Sequence, residues 1–230
     1  MRLDALLSRY GYCSRREATG WLKRHQVTYN NKLCTKATDK VEADGILIDG
    51  EKLDFPNGIY IALYKPLGYV CSHDESEGDL VYDLLPFQWT KRNPAIASVG
   101  RLDKETSGLL LITDDGQFIH RMTSPKHLVE KVYLAETEAD IPASAVELFA
   151  EGSLTLQGEN KPCAPAKLDI LSPRVCKLTL TEGKYHQVRR MLAAVGAPVS
   201  KLSRIAIGAL SLDNLQLEEG EWIEIDPHLF

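Results

Sequence analysis

Arg101 and Asp103 lie two residues apart in a polar loop that opens at Gly100 and runs into the apolar stretch Leu109-Leu110-Leu111-Ile112. A carboxylate held in such a loop can act as a nucleophile, a general base or a ligand. The guanidinium beside it can pair with it or bind an anion. The same pair also suits an ordinary surface turn, so its meaning depends on its company.

A second group is Glu182-Gly183-Lys184-Tyr185-His186-Gln187-Val188-Arg189-Arg190-Met191-Leu192. Helical spacing puts His186, Arg189 and Arg190 on one face, opposite the apolar Val188, Met191 and Leu192. Lys184 to Arg204 carries five Lys/Arg and no Asp or Glu. That is a basic surface for phosphates, an Arg placed to hold a carboxylate ionised, or a plain solvated helix face. The third group is Lys131-Val132-Tyr133, where a strand Tyr serves as core, stacks on a base or moves a proton. No nucleophile elbow, phosphate loop, dinucleotide fingerprint or H-E-x-x-H occurs. His25, His73, His120, His127, His186 and His228 show no metal-ligand spacing. Chemistry without cofactor or metal is expected.

These groups need elements to hold them. Leu3, Leu6, Leu7 and Tyr10 predict a helix that stops at Gly11. Ser14-Arg15-Arg16-Glu17 is a capping box for a second, with Ala18, Trp21 and Leu22 as its apolar stripe. Val27–Tyr29 and Ile46–Ile48 predict strands. This helix–helix–strand unit ends at Asp54-Phe55-Pro56-Asn57-Gly58, which reads as a linker. Two domains follow, 1–57 and 58–230. In the second, strands are predicted at 59–65, 109–113, 132–135, 176–180 and 205–212. Helices are predicted from Pro142 to about Ala150 and over 188–195, the second stopping at Gly196. Asp114-Asp115-Gly116 reads as a turn. The fold class is α+β, a small α/β N-terminal unit before a domain with a mainly antiparallel or mixed sheet flanked by helices.

Charge divides the chain in the same way. The net charge is −5, yet residues 1–36 carry eight Lys/Arg against two Asp/Glu and the remainder 19 against 30. A basic contact module on an acidic body is the reading, with Arg15, Arg16, Lys23 and Arg24 on its polar face. Five widely spaced cysteines without a C-x-x-C fit a reducing compartment. No signal-peptide pattern opens the chain and no apolar run reaches the roughly 20 residues of a membrane span. A cytoplasmic protein without membrane contact is expected.

Taken together the motifs resemble the pseudouridine synthases. Gly100-Arg101-Leu102-Asp103 with Thr106-Ser107-Gly108-Leu109-Leu110 is similar to their catalytic loop. Tyr64-Lys65-Pro66-Leu67-Gly68-Tyr69 resembles their upstream K-P-x-G motif, and His186-Gln187-Val188-Arg189 their H-Q-[IV]-[RK] motif. Arg2-Leu3-Asp4 and Ser14-Arg15-Arg16-Glu17-Ala18 resemble an S4 RNA-binding domain. Lys65–Ser72, Thr113–Gln117 and Glu182–Gln187 are most similar to members that act on small-subunit ribosomal RNA.

The resemblance implies isomerisation of a uridine, number 516 of 16S RNA, with no cofactor. A 23S RNA enzyme and a non-catalytic ribosomal RNA-binding factor are the alternatives. It implies that Asp103 is the essential carboxylate, attacking C1′ or C6 or assisting a glycal intermediate. Arg189 would pair with it, against the desolvation that neutralises a carboxylate in a closed pocket. Tyr133 would contact the target base and Arg101 would enter the space it vacates. Arg15, Arg16, Lys23, Arg24, Lys65, His186 and Arg190 complete the expected RNA contacts. The partner would be 16S RNA or a partly assembled small subunit, met by a monomer.

Overall fold

Leu3, Leu6 and Leu7 are fully buried on one side of α1 (Leu3–Arg9), as their spacing predicts. Gly11 follows with φ +78, and a Cβ there would lie 2.7 Å from the Lys91 carbonyl carbon. The computed structural model describes residues 1–230, the side chain of Pro125 apart. The capping box forms, Ser14 N and Oγ both donating to Glu17 Oε2 at 3.0 and 2.6 Å. It opens a short element, because α2 (Ala18–Trp21) has four residues with Gly20 inside it. Against these helices lie β1 (Val27–Tyr29), β2 (Lys32–Leu33), β3 (Ile46–Ile48) and β4 (Glu51–Lys52), antiparallel in the order β2-β1-β3-β4.

The second sheet has nine strands: β5 (Tyr60–Lys65), β6 (Ala97–Ser98), β7 (Ser107–Thr113), β8 (Lys131–Thr137), β9 (Lys167–Ser172), β10 (Val175–Leu180), β11 (Val199–Ile207), β12 (Leu210–Ser211) and β13 (Trp222–Glu224). Its order is β13-β5-β7-β11-β8-β10-β9, with β6 on β7 and β12 on β11. Every residue of β7 is buried, which is why its sequence is a continuous apolar run. Leu110 and Ile112 pack with Ile61 and Leu63 on one face; Leu109 and Leu111 pack with Phe118 and Met122 on the other. The helices are α3 (Phe87–Thr90), α4 (Gly116–Thr123), α5 (Ser144–Glu151), α6 (Gln187–Ala194) and α7 (Leu212–Leu215). The expected α+β class and mixed sheet are what the chain forms, with an S4-like unit first and a sheet-dominated body after it.

Two local expectations need correction. Asp114-Asp115-Gly116 is a helix start, not a free turn: Asp115 Oδ1 accepts from Gln117 N at 2.8 Å and Phe118 N at 3.2 Å. The strand expected at 205–212 starts at Val199 and ends at Ile207, then reverses through Gly208 into β12. Gly208 sits at φ +53, so the apolar run spans a turn.

The β7–β11 contact is parallel, pairing Ser107 with Ser203 and Gly108 with Arg204. Gly108 has φ +114, and a Cβ on it would come within 2.3 Å of the Arg204 carbonyl oxygen. Only glycine lets the two backbones meet there.

The 54–58 segment is bonded on all sides. Arg92, 5 % exposed, donates to the carbonyls of Asp54 and Phe55, and its Nη1 lies 3.0 Å from Asp114 Oδ2. Trp89 Nε1 donates to Asp54 Oδ2 at 3.1 Å. From the first unit, Tyr10 Oη donates to the Pro56 carbonyl at 2.6 Å, and the Tyr10 ring lies 4.7 Å below the Arg92 guanidinium. Truncation by Arg92→Ala leaves the Asp114 carboxylate buried without its cation. The expected cost is roughly 3–5 kcal/mol, read as a lower urea midpoint.

Candidate active site

The loop between β6 and β7 is irregular, so its carbonyls need donors from elsewhere. Asp103 O accepts from Thr106 N at 3.0 Å and Lys104 O from Gly68 N at 2.9 Å. Glu105 O accepts from Arg189 Nη2 at 2.7 Å. Thr106 O accepts from Lys65 Nζ at 2.8 Å. The loop is thereby fixed by the K-P-x-G segment on one side and α6 on the other.

Asp103 stands at the mouth of a cavity of about 360 Å³. Gly100 to Asp103, Thr106 and Thr123 line part of it, and Glu182 to Arg189 line another part. Lys131, Tyr133, Leu180, Leu202 and Arg204 line the remaining side, on β8, β10 and β11. Tyr133 is directly opposite Arg204 in the β8–β11 register and packs against the cores on both sides. Arg101 is exposed at the rim. The Asp103 carboxylate is a third exposed, with Oδ1 3.4 Å from His186 Nε2. The volume lies within the range of small-molecule sites.

Four expected contacts take a different form. Arg189 makes no ion pair with Asp103 among the described residues. Its guanidinium goes to Glu105 O and, at 3.5 Å, to Thr106 Oγ1. The unpaired carbonyl of the turn claims it, and the imidazole of His186 takes the place beside the carboxylate. His186 is no part of a helix face: it precedes α6 with φ +48, its ring stacked on Tyr185 at 3.9 Å. Lys65 is fully buried, its ammonium spent on Pro66 O and Thr106 O, so it does not face RNA. Burial pushes that ammonium below its ordinary value, opposed by the acidic groups of Cys71, Asp103 and Glu105. Arg190 turns away around the helix and braces the 157–159 loop, reaching Glu159 Oε1 at 3.0 Å, Gln157 O at 2.5 Å and Tyr185 O at 2.9 Å.

In the first unit Arg16, Lys23 and Arg24 are exposed. Arg15 Nη2 lies 3.7 Å from the buried Asp4, which Arg2 already holds at 2.7 Å. That Arg2 contact holds the Asp4 carboxyl below the usual range.

Residues 59–194 match the RNA pseudouridylate synthase family and residues 1–47 match the S4 domain. The chain belongs to the RNA pseudouridylate synthases. It is 42 % identical over 224 residues to the ribosomal small subunit pseudouridine synthase A of Pasteurella multocida, covering 96 % of this chain and 94 % of that one. The Escherichia coli K12 protein of the same name is 38 % identical over 226 residues, covering 96 % and 95 %. A crystal structure of a pseudouridylate synthase superposes with a TM-score of 0.69 at 37 % identity, covering 99 % and 97 %.

The cavity holds three cations that sequence reasoning did not assign: Lys131, Lys184 and Arg204. Lys131 was visible only as the neighbour of Tyr133, and Arg204 as one of several basic residues. A charge at even spacing from an inward-facing Tyr, and one between Leu202 and Ile205, were the available signals.

Lys65→Met separates positioning from RNA contact. It leaves the Thr106 and Pro66 carbonyls unpaired, so stability should drop by about 1–3 kcal/mol and single-turnover rate with it. RNA affinity and its salt slope, measured by filter binding, should not move.

Proposed function

We propose that this synthase converts uridine 516 of 16S ribosomal RNA to pseudouridine. The observation that carries the reading is the Asp103 carboxylate at the mouth of a nucleoside-sized cavity, with Tyr133 inside and Arg101 at the rim. Relatives named for the small ribosomal subunit support the substrate class. The resemblance of Lys65–Ser72 and Glu182–Gln187 to small-subunit enzymes supports the site.

The reaction breaks N1–C1′, turns the base and joins C5 to C1′; C5 gives up a proton and N1 gains one. Atoms and charge balance without redox or group transfer. A carboxylate at the sugar–base junction serves each route: attack on C1′, attack on C6, or assistance to a glycal. Asp103 is that carboxylate in our reading, and Tyr133 contacts the base. Arg101 fills the stack that the flipped nucleotide leaves, since a planar cation stacks and donates together. Arg189 acts on Asp103 indirectly, by holding the backbone two residues on.

Arg16, Lys23 and Arg24, with Arg15 partly committed to Asp4, supply backbone affinity without base specificity. The domain boundary near residue 57, a monomeric state, a cytoplasmic location and 16S RNA or a partly assembled small subunit as substrate complete the reading. No helix is long and apolar enough to cross a membrane among the described residues.

Pseudouridine mapping by carbodiimide labelling and primer extension, in cells with and without the protein, tests the target. Loss of one 16S site is expected; loss of a 23S site overturns the substrate. Asp103→Asn should bind RNA normally and show no turnover above a blank. Replacing Arg16, Lys23 and Arg24 by Glu should weaken RNA binding and flatten its salt dependence, with the pocket intact. Unchanged affinity across a salt titration would remove the S4 face from the RNA contact.

A further inference from the structure

Arg204 is 2 % exposed, and it takes part in no ion pair among the described residues. Its Nε donates to the Leu109 carbonyl at 2.8 Å, while its Nη2 is buried without a partner. Lys131 lines the same cavity, half-buried, and among the described residues its Nζ donates only to the Val129 carbonyl, at 3.1 Å. The two cations sit on neighbouring antiparallel strands around Tyr133, which faces Arg204 across the register and follows Lys131 by the two-residue step that keeps one face. Burial and the nearby Arg204 push the Lys131 ammonium below its ordinary value.

Two carboxylates line the cavity, Asp103 and Glu182, and among the described residues neither forms an ion pair with Lys131 or Arg204. Its other charged groups are accounted for. Glu182 Oε1 already accepts from Ala164 N at 2.9 Å and Gln187 Nε2 at 2.6 Å. Asp103 stands at the mouth beside His186, Arg101 is on the rim, Lys184 bonds the Lys161 and Pro162 carbonyls, and Arg189 bonds Glu105 O. A buried guanidinium and a half-buried ammonium without a paired anion are costly, and an anionic occupant removes that cost. A guanidinium needed only to hold Leu109 would leave Nη2 and the second cation unexplained.

We propose that Arg204 and Lys131 form an anion subsite that takes the negative charge developing on the uracil oxygens as the glycosidic bond breaks. This rests on the synthase reading of the Asp103 pocket. Cleavage of N1–C1′ sends the bonding pair into the base, where it spreads over N1, O2 and O4. The same anion then attacks C1′ through C5, and the C5 proton is lost as N1 is protonated. Fixed donors aimed at that charge stabilise the transition state without reorganisation. A backbone phosphate is the other anion such a pair could take, and the two differ in what they change.

Arg204 is built into the β7–β11 contact, so Lys131 carries the test. Lys131→Met and Lys131→Arg are compared with wild type in single-turnover assays on RNA carrying uridine or 5-fluorouridine at the target, read as loss of the N-glycoside. The fluoro base leaves as a weaker base and needs less help. With uridine, Lys131→Met should fall about 10²-fold at saturating RNA with unchanged affinity. With 5-fluorouridine the loss should be several-fold smaller, and Lys131→Arg should recover most of the rate. Equal losses on both substrates, or an undiminished rate, overturn the subsite. Loss confined to RNA affinity, with a salt slope reduced by about one, assigns the cation to a phosphate and also overturns it. Absence of wild-type turnover overturns instead the synthase reading beneath it.

Discussion

Three cations from three separate elements converge on the backbone of one five-residue segment. Arg189 of α6 holds Glu105 O, Lys65 at the end of β5 holds Thr106 O, and Arg204 of β11 holds Leu109 O. This segment leads from the Asp103 loop into the most buried strand, and irregular backbone there would otherwise leave carbonyls unpaired. Lys65 and Arg204 also carry charge into the interior, which is expensive, so the arrangement persists only because every contact is short and specific. The position of the carboxylate is thus set by long-range contacts at separations of 41, 84 and 95 residues.

The sheet makes this convergence possible. Strands β7 and β11 run parallel where Gly108 meets Arg204, and β8 pairs antiparallel with β11 on its other side. That places Arg204 between the loop that carries Asp103 and the strand that carries Tyr133. A side chain at position 108 would separate the strands and pull all three apart. The first unit contributes nothing to this cavity; its buried leucines and Trp21 serve a separate small core.

Much of the frame was readable from periodicity and punctuation. The spacing of Leu3, Leu6 and Leu7, the run Leu109–Ile112 and the Gly196 stop each express a local rule, and each element formed where the rule put it. Asp103, Arg101 and Tyr133 gather at one cavity, as their motifs imply. The partners of the cations were not readable. Whether Arg189 bonds a carboxylate or a carbonyl depends on the path of a loop 84 residues away. Lys65 and Arg190 look like surface cations in sequence because nothing local says that their strand end or helix side is covered. The 54–58 segment has linker composition, and only the packing of Tyr10, Trp89 and Arg92 around it makes it stiff.

That stiffness changes the physics of RNA capture. Two contact sites joined by a loose tether raise each other's local concentration over a broad range of separations. A bridge pinned by a buried ion pair and a tyrosine raises it at one separation and suppresses the rest. In the proposed function, the basic face of the first unit is the fixed arm of a caliper whose other jaw is Asp103. On that reading selectivity comes partly from geometry, since the RNA to be processed must span that gap.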